Sequence, residues 1–180
     1  SHLPKLIVTQ KYCNLGPKIQ KISDQLLEEI KELKSMQEAM MDRFNTIEEA
    51  RQNKEFTDLD NQILMKQAFA QEITITDELL SYSDSVAAKQ YVTGEKSEKI
   101  ELFLDLVESI ISEGDKVCVF SKFRSLQDIL IAHLQKRFKN IEIAQVHGGL
   151  SSEQRYNEVQ KFSSQKTCNI LLSSGAGNEG

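Results

Sequence analysis

The sequence has two prolines among its 180 residues, Pro4 and Pro17, so after Pro17 no ring forbids long helices. Its three cysteines, Cys13, Cys118 and Cys168, are odd in number, far apart and form no CxxC. That excludes a disulfide framework and a cysteine zinc site, and a reducing cytoplasm (the nucleus in a eukaryote) is the expected setting. No apolar run approaches the roughly 18 residues of a membrane-spanning helix, and the N-terminus lacks a signal-peptide pattern. The eight glycines, at 16, 94, 114, 148, 149, 175, 177 and 180, form no GxxxxGK[ST], so the phosphate cradle of P-loop ATPases is missing. A basic excess is missing too. Net charge is −5, with 11 basic and 15 acidic side chains in 1–93 and 11 and 12 in 94–180. Coating nucleic acid by bulk charge is thereby excluded, while a local phosphate contact in the second half is not.

What is present begins with a globular composition, 39% hydrophobic and 27% charged. The length suits one α/β domain, or a smaller one with a helical attachment. LIVTQ at 6–10 has the composition of a short strand. From Lys18 to about Arg51 there is no Gly or Pro, and Ile19, Ile22, Leu26, Ile30, Leu33 and Phe44 recur at helical spacing. The spacing predicts one helix of roughly 50 Å at about 1.5 Å per residue. Glu29 and Arg43 break the heptad, which favours an arm of a hairpin packed on its own chain over a coiled coil. Thr57 with Asp60 predicts the start of a second, antiparallel helix. ITITDELL (73–80) mimics the strand and acidic pair that hold Mg²⁺ in P-loop ATPases. Without the phosphate loop, Asp77 and Glu78 are expected in the first turn of a short helix.

The polar stretch 82–97 is expected to join a helical part to an α/β part. Ser97 is placed to cap a helix that Gly114 ends. Val117–Phe120 then reads as a strand buried on both faces. Ser125 opens a helix, Ile141–Val146 is a second strand, and Ser151 with Gln154 forms a capping box for a helix with Tyr156, Val159 and Phe162 on its apolar face. Asn169–Leu172 is the third strand. A β-α-β-α-β order gives parallel strands with right-handed crossovers, an open α/β sheet of RecA or Rossmann type.

Each strand breaks into residues suited to an anion. Ser121 and Lys122 follow the first, His147, Gly148 and Gly149 the second, and Ser173, Ser174 and Gly175 the third. Small residues let backbone N–H groups approach a phosphate, and helix N-termini add a favourable dipole. Each turn alone is as well explained by a cap or a tight turn; three on one sheet edge point to a ligand. No Ser-His-Asp, metal or paired-carboxylate arrangement is indicated.

These residues resemble the second RecA-like lobe of the Swi/Snf family of superfamily-two, helicase-like DNA translocases. KVCVFSKF (116–123) is similar to motif IV, and VHGGLSSEQR (146–155) to the family's h-x-G-x-x-S/T-x-x-x-R segment. FSSQKTCNILLSS resembles the approach to motif V, GAGNEG (175–180) matches its x-A-G-x-x-G, and GEKSEKIELFLDLV (94–107) resembles the helix before motif IV. The likeness spans about 62–180. It implies an α/β fold with a partial RecA-like parallel sheet, preceded by a helical insertion or hairpin: 1–93 the insertion with its lead-in, 94–180 a truncated C-terminal helicase lobe. It further implies that Ser121, Lys122, His147, Gly148, Gly149 and Ser174 contact the phosphates of the tracked strand of double-stranded DNA. Gly177, Asn178, Glu179 and Gly180 would lie at the interlobe ATP site, although Asn178 and Glu179 depart from the commoner Gly-Val. Arg155 would brace its helix. The phosphate loop and Mg²⁺ motif belong to the first lobe, and an arginine motif would follow Gly180. The parent protein is thus expected to use ATP and Mg²⁺ as a DNA-dependent ATP hydrolase, with a first RecA-like lobe as partner and no membrane, and the fragment to lack activity alone. From the residues without the resemblance, a doubly wound phospho-ligand enzyme domain and a coiled-coil interaction module remain alternatives.

Overall fold

The computed structural model describes residues 3–175. Two helical arms come first. Helix α1 (Pro17–Met41) has Pro17 at its first turn, and α3 (Lys54–Ile73) returns antiparallel beside it. Ile19 and Leu26 of α1 pack on Phe69 and Ile73 of α3, so the apolar stripe is buried within the chain, as a hairpin requires. Lys66 Nζ lies 2.7 Å from Glu29 Oε2, and the Tyr91 hydroxyl donates to the same oxygen at 2.8 Å. Burial opposes the charged form of Glu29, but the hydrogen bonds from Lys66, Gln25 and Tyr91 outweigh it and hold its pKa below the usual range.

The single helix expected over 18–51 is broken after Met41. Phe44 folds back to meet Phe56 edge-on at 6.3 Å, beside the buried Met40 and Ala50. Thr46 then caps a new short helix α2 (Ile47–Gln52), accepting from the Glu49 N–H while Glu49 accepts from the Asn45 N–H. Helix α3 starts at Lys54 instead of Thr57, because Asn53 caps it and Thr57 donates back to the Asn53 carbonyl. The strand expected at 6–10 does not form: Leu6, Ile7 and Val8 are exposed, with no partner strand to bury them.

Asp77 and Glu78 stand at the start of a short helix, α4 (Glu78–Ser81), as the dipole argument required. Leu79 belongs to the α/β core and Leu80 to the hairpin core, so α4 joins the two. After α5 (Val86–Lys89) the chain passes Asp77 again. The fully buried carboxylate accepts hydrogen bonds from the Thr93 N–H, the Thr93 hydroxyl and the Gly94 N–H at 2.6, 2.6 and 2.9 Å. Ser97 caps α6 (Glu98–Ser112), and Gly114 closes it at φ +84°.

The sheet contains β1 (Val117–Ser121), β2 (Glu142–Val146) and β3 (Cys168–Ser174), all parallel in the order β1-β3-β2. Helix α7 (Arg124–Arg137) lies on one face and α8 (Ser152–Ser164) on the other. This is the expected partial RecA-like α/β fold behind a helical hairpin. Ile170 and Leu172 of the central strand pack with Val107 of α6 and Ile129, Leu130 and Leu134 of α7. β1 is not buried on both faces. Val117 and Val119 face this core, while Cys118 and Phe120 are exposed, since α8 covers β2 and β3 but not the β1 edge. Tyr156 and Val159, expected on the apolar face of α8, are exposed. Edge strand β2 is tied down by α8: the Gln145 N–H donates to Glu158, and Lys161 donates to the Ile143 carbonyl. Helix α7 begins at Arg124 with Phe123 at its cap position, not at Ser125. β3 continues through Ser174, so both serines expected in its turn are inside the strand.

Candidate nucleic-acid interface

All three strands run the same way, so their C-terminal ends open on one edge. Ser121 and Ser174 sit side by side in the β1–β3 register. Lys122, Arg124, His147, Gly148, Gly149, Ser174 and Gly175 line one crevice of about 460 Å³ at that edge. Six residues were singled out by sequence; five line this crevice, and Ser121 adjoins it as the strand neighbour of Ser174. Gly177, Asn178, Glu179 and Gly180 lie outside the described residues.

The local reasons differ for each turn. The Ser121 hydroxyl donates to the Phe123 carbonyl at 3.3 Å, which curls the chain into α7. Lys122 is exposed and stands over the Phe123 ring, 5.8 Å from its centre. No side chain caps the N-terminus of α7, leaving its first N–H groups oriented toward that end of the sheet. After β2, the Gly149 N–H donates to His147 Nδ1 at 3.2 Å, and a Cβ on Gly149 would come within 3.2 Å of the ring. Any larger residue there would require the His147 ring to give by a few tenths of an ångström. The bond leaves Nε2 as the protonated nitrogen of a neutral ring. Burial pushes the His147 pKa below the usual 6.5, the Arg124 and Arg155 charges push it further, and Asp128 opposes them. The capping box of Ser151 and Gln154 is present in both directions and starts α8. After β3, Ser174 is buried, and Gly175 turns the chain at φ +58°.

Sequence reasoning missed Arg124. It is exposed and makes an i,i+4 pair with Asp128 at 3.0 Å, a contact of little energy that can open toward a ligand. Its place directly after KVCVFSKF was the available signal. Lys116, the first residue of that motif, has a structural role, in which its ammonium donates to the carbonyls of Phe162 and Gln165 at the end of α8. Among the described residues the Arg155 Nε is buried without a hydrogen-bond partner. Another cleft, between α4, α6 and α7, mixes Asp77, Glu78 and Glu101 with His133, Lys136 and Arg137. Two of its basic side chains are already engaged: His133 lies 2.8 Å from Glu78, and Arg137 bonds Asp105 and Glu108. Among the described residues no group of three or more His, Cys, Asp or Glu is arranged to hold a metal ion.

Parallel strands, crossover helices and a polar C-terminal edge define an open α/β fold of RecA type. Residues 98–180 match the helicase conserved C-terminal domain, which begins at the first residue of α6 and takes in all three turns. More particularly, the fold is similar to that of SWI2/SNF2 ATPase C-terminal domains. The Sulfolobus solfataricus SWI2/SNF2 ATPase C-terminal domain superposes with a TM-score of 0.64 at 21% identity, over 92% of this chain and 62% of that one. The C-terminal part of the Fun30 ATPase domain gives 0.65 at 19% identity, over 99% and 72%. The Sulfolobus ATPase core in complex with dsDNA gives 0.56 at 21% identity, over 91% and 30%. This chain thus spans about three-fifths of the Sulfolobus C-terminal domain and under a third of the DNA-bound core. Comparison with curated proteins gives no match. No helix among the described residues is long and apolar enough to cross a membrane.

Proposed function

We propose that this chain is part of the second motor lobe of an ATP-dependent DNA translocase, with residues 1–93 as its helical insertion and 94–180 as the lobe portion. The observation that carries the reading is the convergence of Lys122, His147, Gly148, Gly149 and Ser174 on one crevice, within a region that matches the helicase C-terminal domain. Such a crevice suits a phosphate of one strand of duplex DNA. Lys122 and Arg124 supply charge, the His147 Nε2–H and the Gly148 N–H supply directed donors, and the Ser121–Ser174 pair forms a polar floor. Contacts to phosphate position the protein without reading sequence, which is what a tracking motor needs.

In the whole protein, ATP and Mg²⁺ would be held mainly by a first RecA-like lobe, with 177–180 contributing at the cleft between lobes. Phosphoryl transfer needs phosphate cradle, metal and arginine together, so the isolated chain should not hydrolyse ATP. A reducing cytoplasm or nucleus is the setting that fits its cysteines. The test is ATPase activity of the full-length protein with and without duplex DNA. Stimulation by DNA is expected, and Lys122→Ala combined with Ser174→Ala should reduce it several-fold. A full-length protein that neither binds duplex DNA nor responds to it contradicts the proposal.

A further inference from the structure

Gln127 lies one turn inside α7 and is fully buried, beside the core residues Leu126, Ile129 and Leu130. A buried amide is unfavourable unless hydrogen-bonded, and packing alone would be served as well by leucine or methionine. Its bonds show where it acts. Nε2 donates to the carbonyl of Val146 at 3.1 Å, and Oε1 accepts a long 3.5 Å bond from Gln145 Nε2. Val146 is the last residue of β2, one peptide before His147. Gln127 follows Arg124 by three residues in the first turn of α7. The amide therefore ties the lip of the crevice that carries Lys122 and Arg124 to the lip that carries His147 and Gly149.

We propose that Gln127 is a positioning residue of the phosphate crevice, fixing the separation of its two lips so that one phosphate meets both. The inference rests on the DNA-contacting role proposed above. A hydrophobic side chain at 127 would fill the same space but leave the His147 turn free to shift, and placement errors near 1 Å weaken directed contacts severely.

The experiment compares full-length wild type with Gln127→Met, nearly isosteric but without a donor, and with Ile129→Val, which loosens the same helix away from the crevice. ATPase rate is measured against duplex DNA concentration. Gln127→Met should raise the DNA concentration for half-maximal stimulation about five-fold, the scale of one buried hydrogen bond, with the rate at saturating DNA little changed. Ile129→Val should lower the melting temperature without moving the DNA requirement. Unchanged DNA requirement in Gln127→Met, or equal shifts in both variants, overturns the inference. If wild type shows no response to DNA, the functional reading fails, and amide exchange still decides the positioning role. Faster exchange at Gly148 and Gly149 in Gln127→Met supports it, and equal exchange overturns it.

Discussion

The helical hairpin and the α/β part use their polar groups in opposite ways. In the hairpin they are turned inward and paired, Lys66, Glu29 and Tyr91 bonding one another; at the junction one oxygen of Asp77 receives three donors from 93–94, while Oδ1 is buried with no hydrogen-bond partner among the described residues. At the sheet edge Lys122 and Arg124 are exposed and line a crevice together with His147, Gly148 and Gly149. Polar groups satisfied within the chain hold its parts together, whereas polar groups left open on one edge await a ligand. On the function proposed above, the first region is support and the second contact surface.

The sharpest way to break this contrast is at the junction. Asp77→Ala would leave two backbone N–H groups and a hydroxyl without their acceptor in the interior, at a cost of about 3 kcal/mol. Urea unfolding should show the loss. Amide exchange should rise at 93–97 and spread toward α4, where the two cores meet, while β3 stays protected. An unfolding midpoint within error of wild type would mean that Asp77 is not what joins the parts.

A smaller effect separates the two regions by pH. His147 has a lowered pKa, so the unfolded chain binds more protons just below pH 6.5, and stability falls there as pH falls through the folded value. Glu29 also has a lowered pKa, but as an acid: its contribution is present above its unfolded value of 4.5 and is lost as pH falls through the folded one. The α/β part should thus weaken first, in the window below 6.5, and the hairpin only below 4.5. His147→Asn should flatten the upper window and leave the lower one, as measured by urea melts at successive pH values. A pH profile of His147→Asn that overlays the wild type would remove the assigned role of the imidazole.

Much of the fold was legible because local signals agreed with tertiary ones. Ser97, Gly114, Ser151 and Gln154 act as caps wherever the sequence placed them, and the three strands are found within two residues of their expected bounds. The break at 42–46 was not legible, since no Gly or Pro marks it and it is accompanied by a long-range contact, from Phe44 in the break to Phe56 of α3. The polar stretch 82–97 concealed Tyr91, which is buried by the helices it returns to. At the site, the turns were legible as strand-end breaks, and parallel topology then brought them together. Arg124 and Gln127 were not, because one looks like an ordinary surface residue and the other like a misplaced polar in an apolar stripe. Only the geometry shows what each faces.

The central claim is that the crevice binds the DNA backbone through charge. Its direct test is the salt dependence of duplex DNA affinity for the full-length protein and its Lys122→Ala, Arg124→Ala double variant. Each lost phosphate contact should reduce the log–log slope by about 1, so the variant should be shallower by about 2 and weaker on every sequence tried. Parallel slopes and equal affinities would contradict the account.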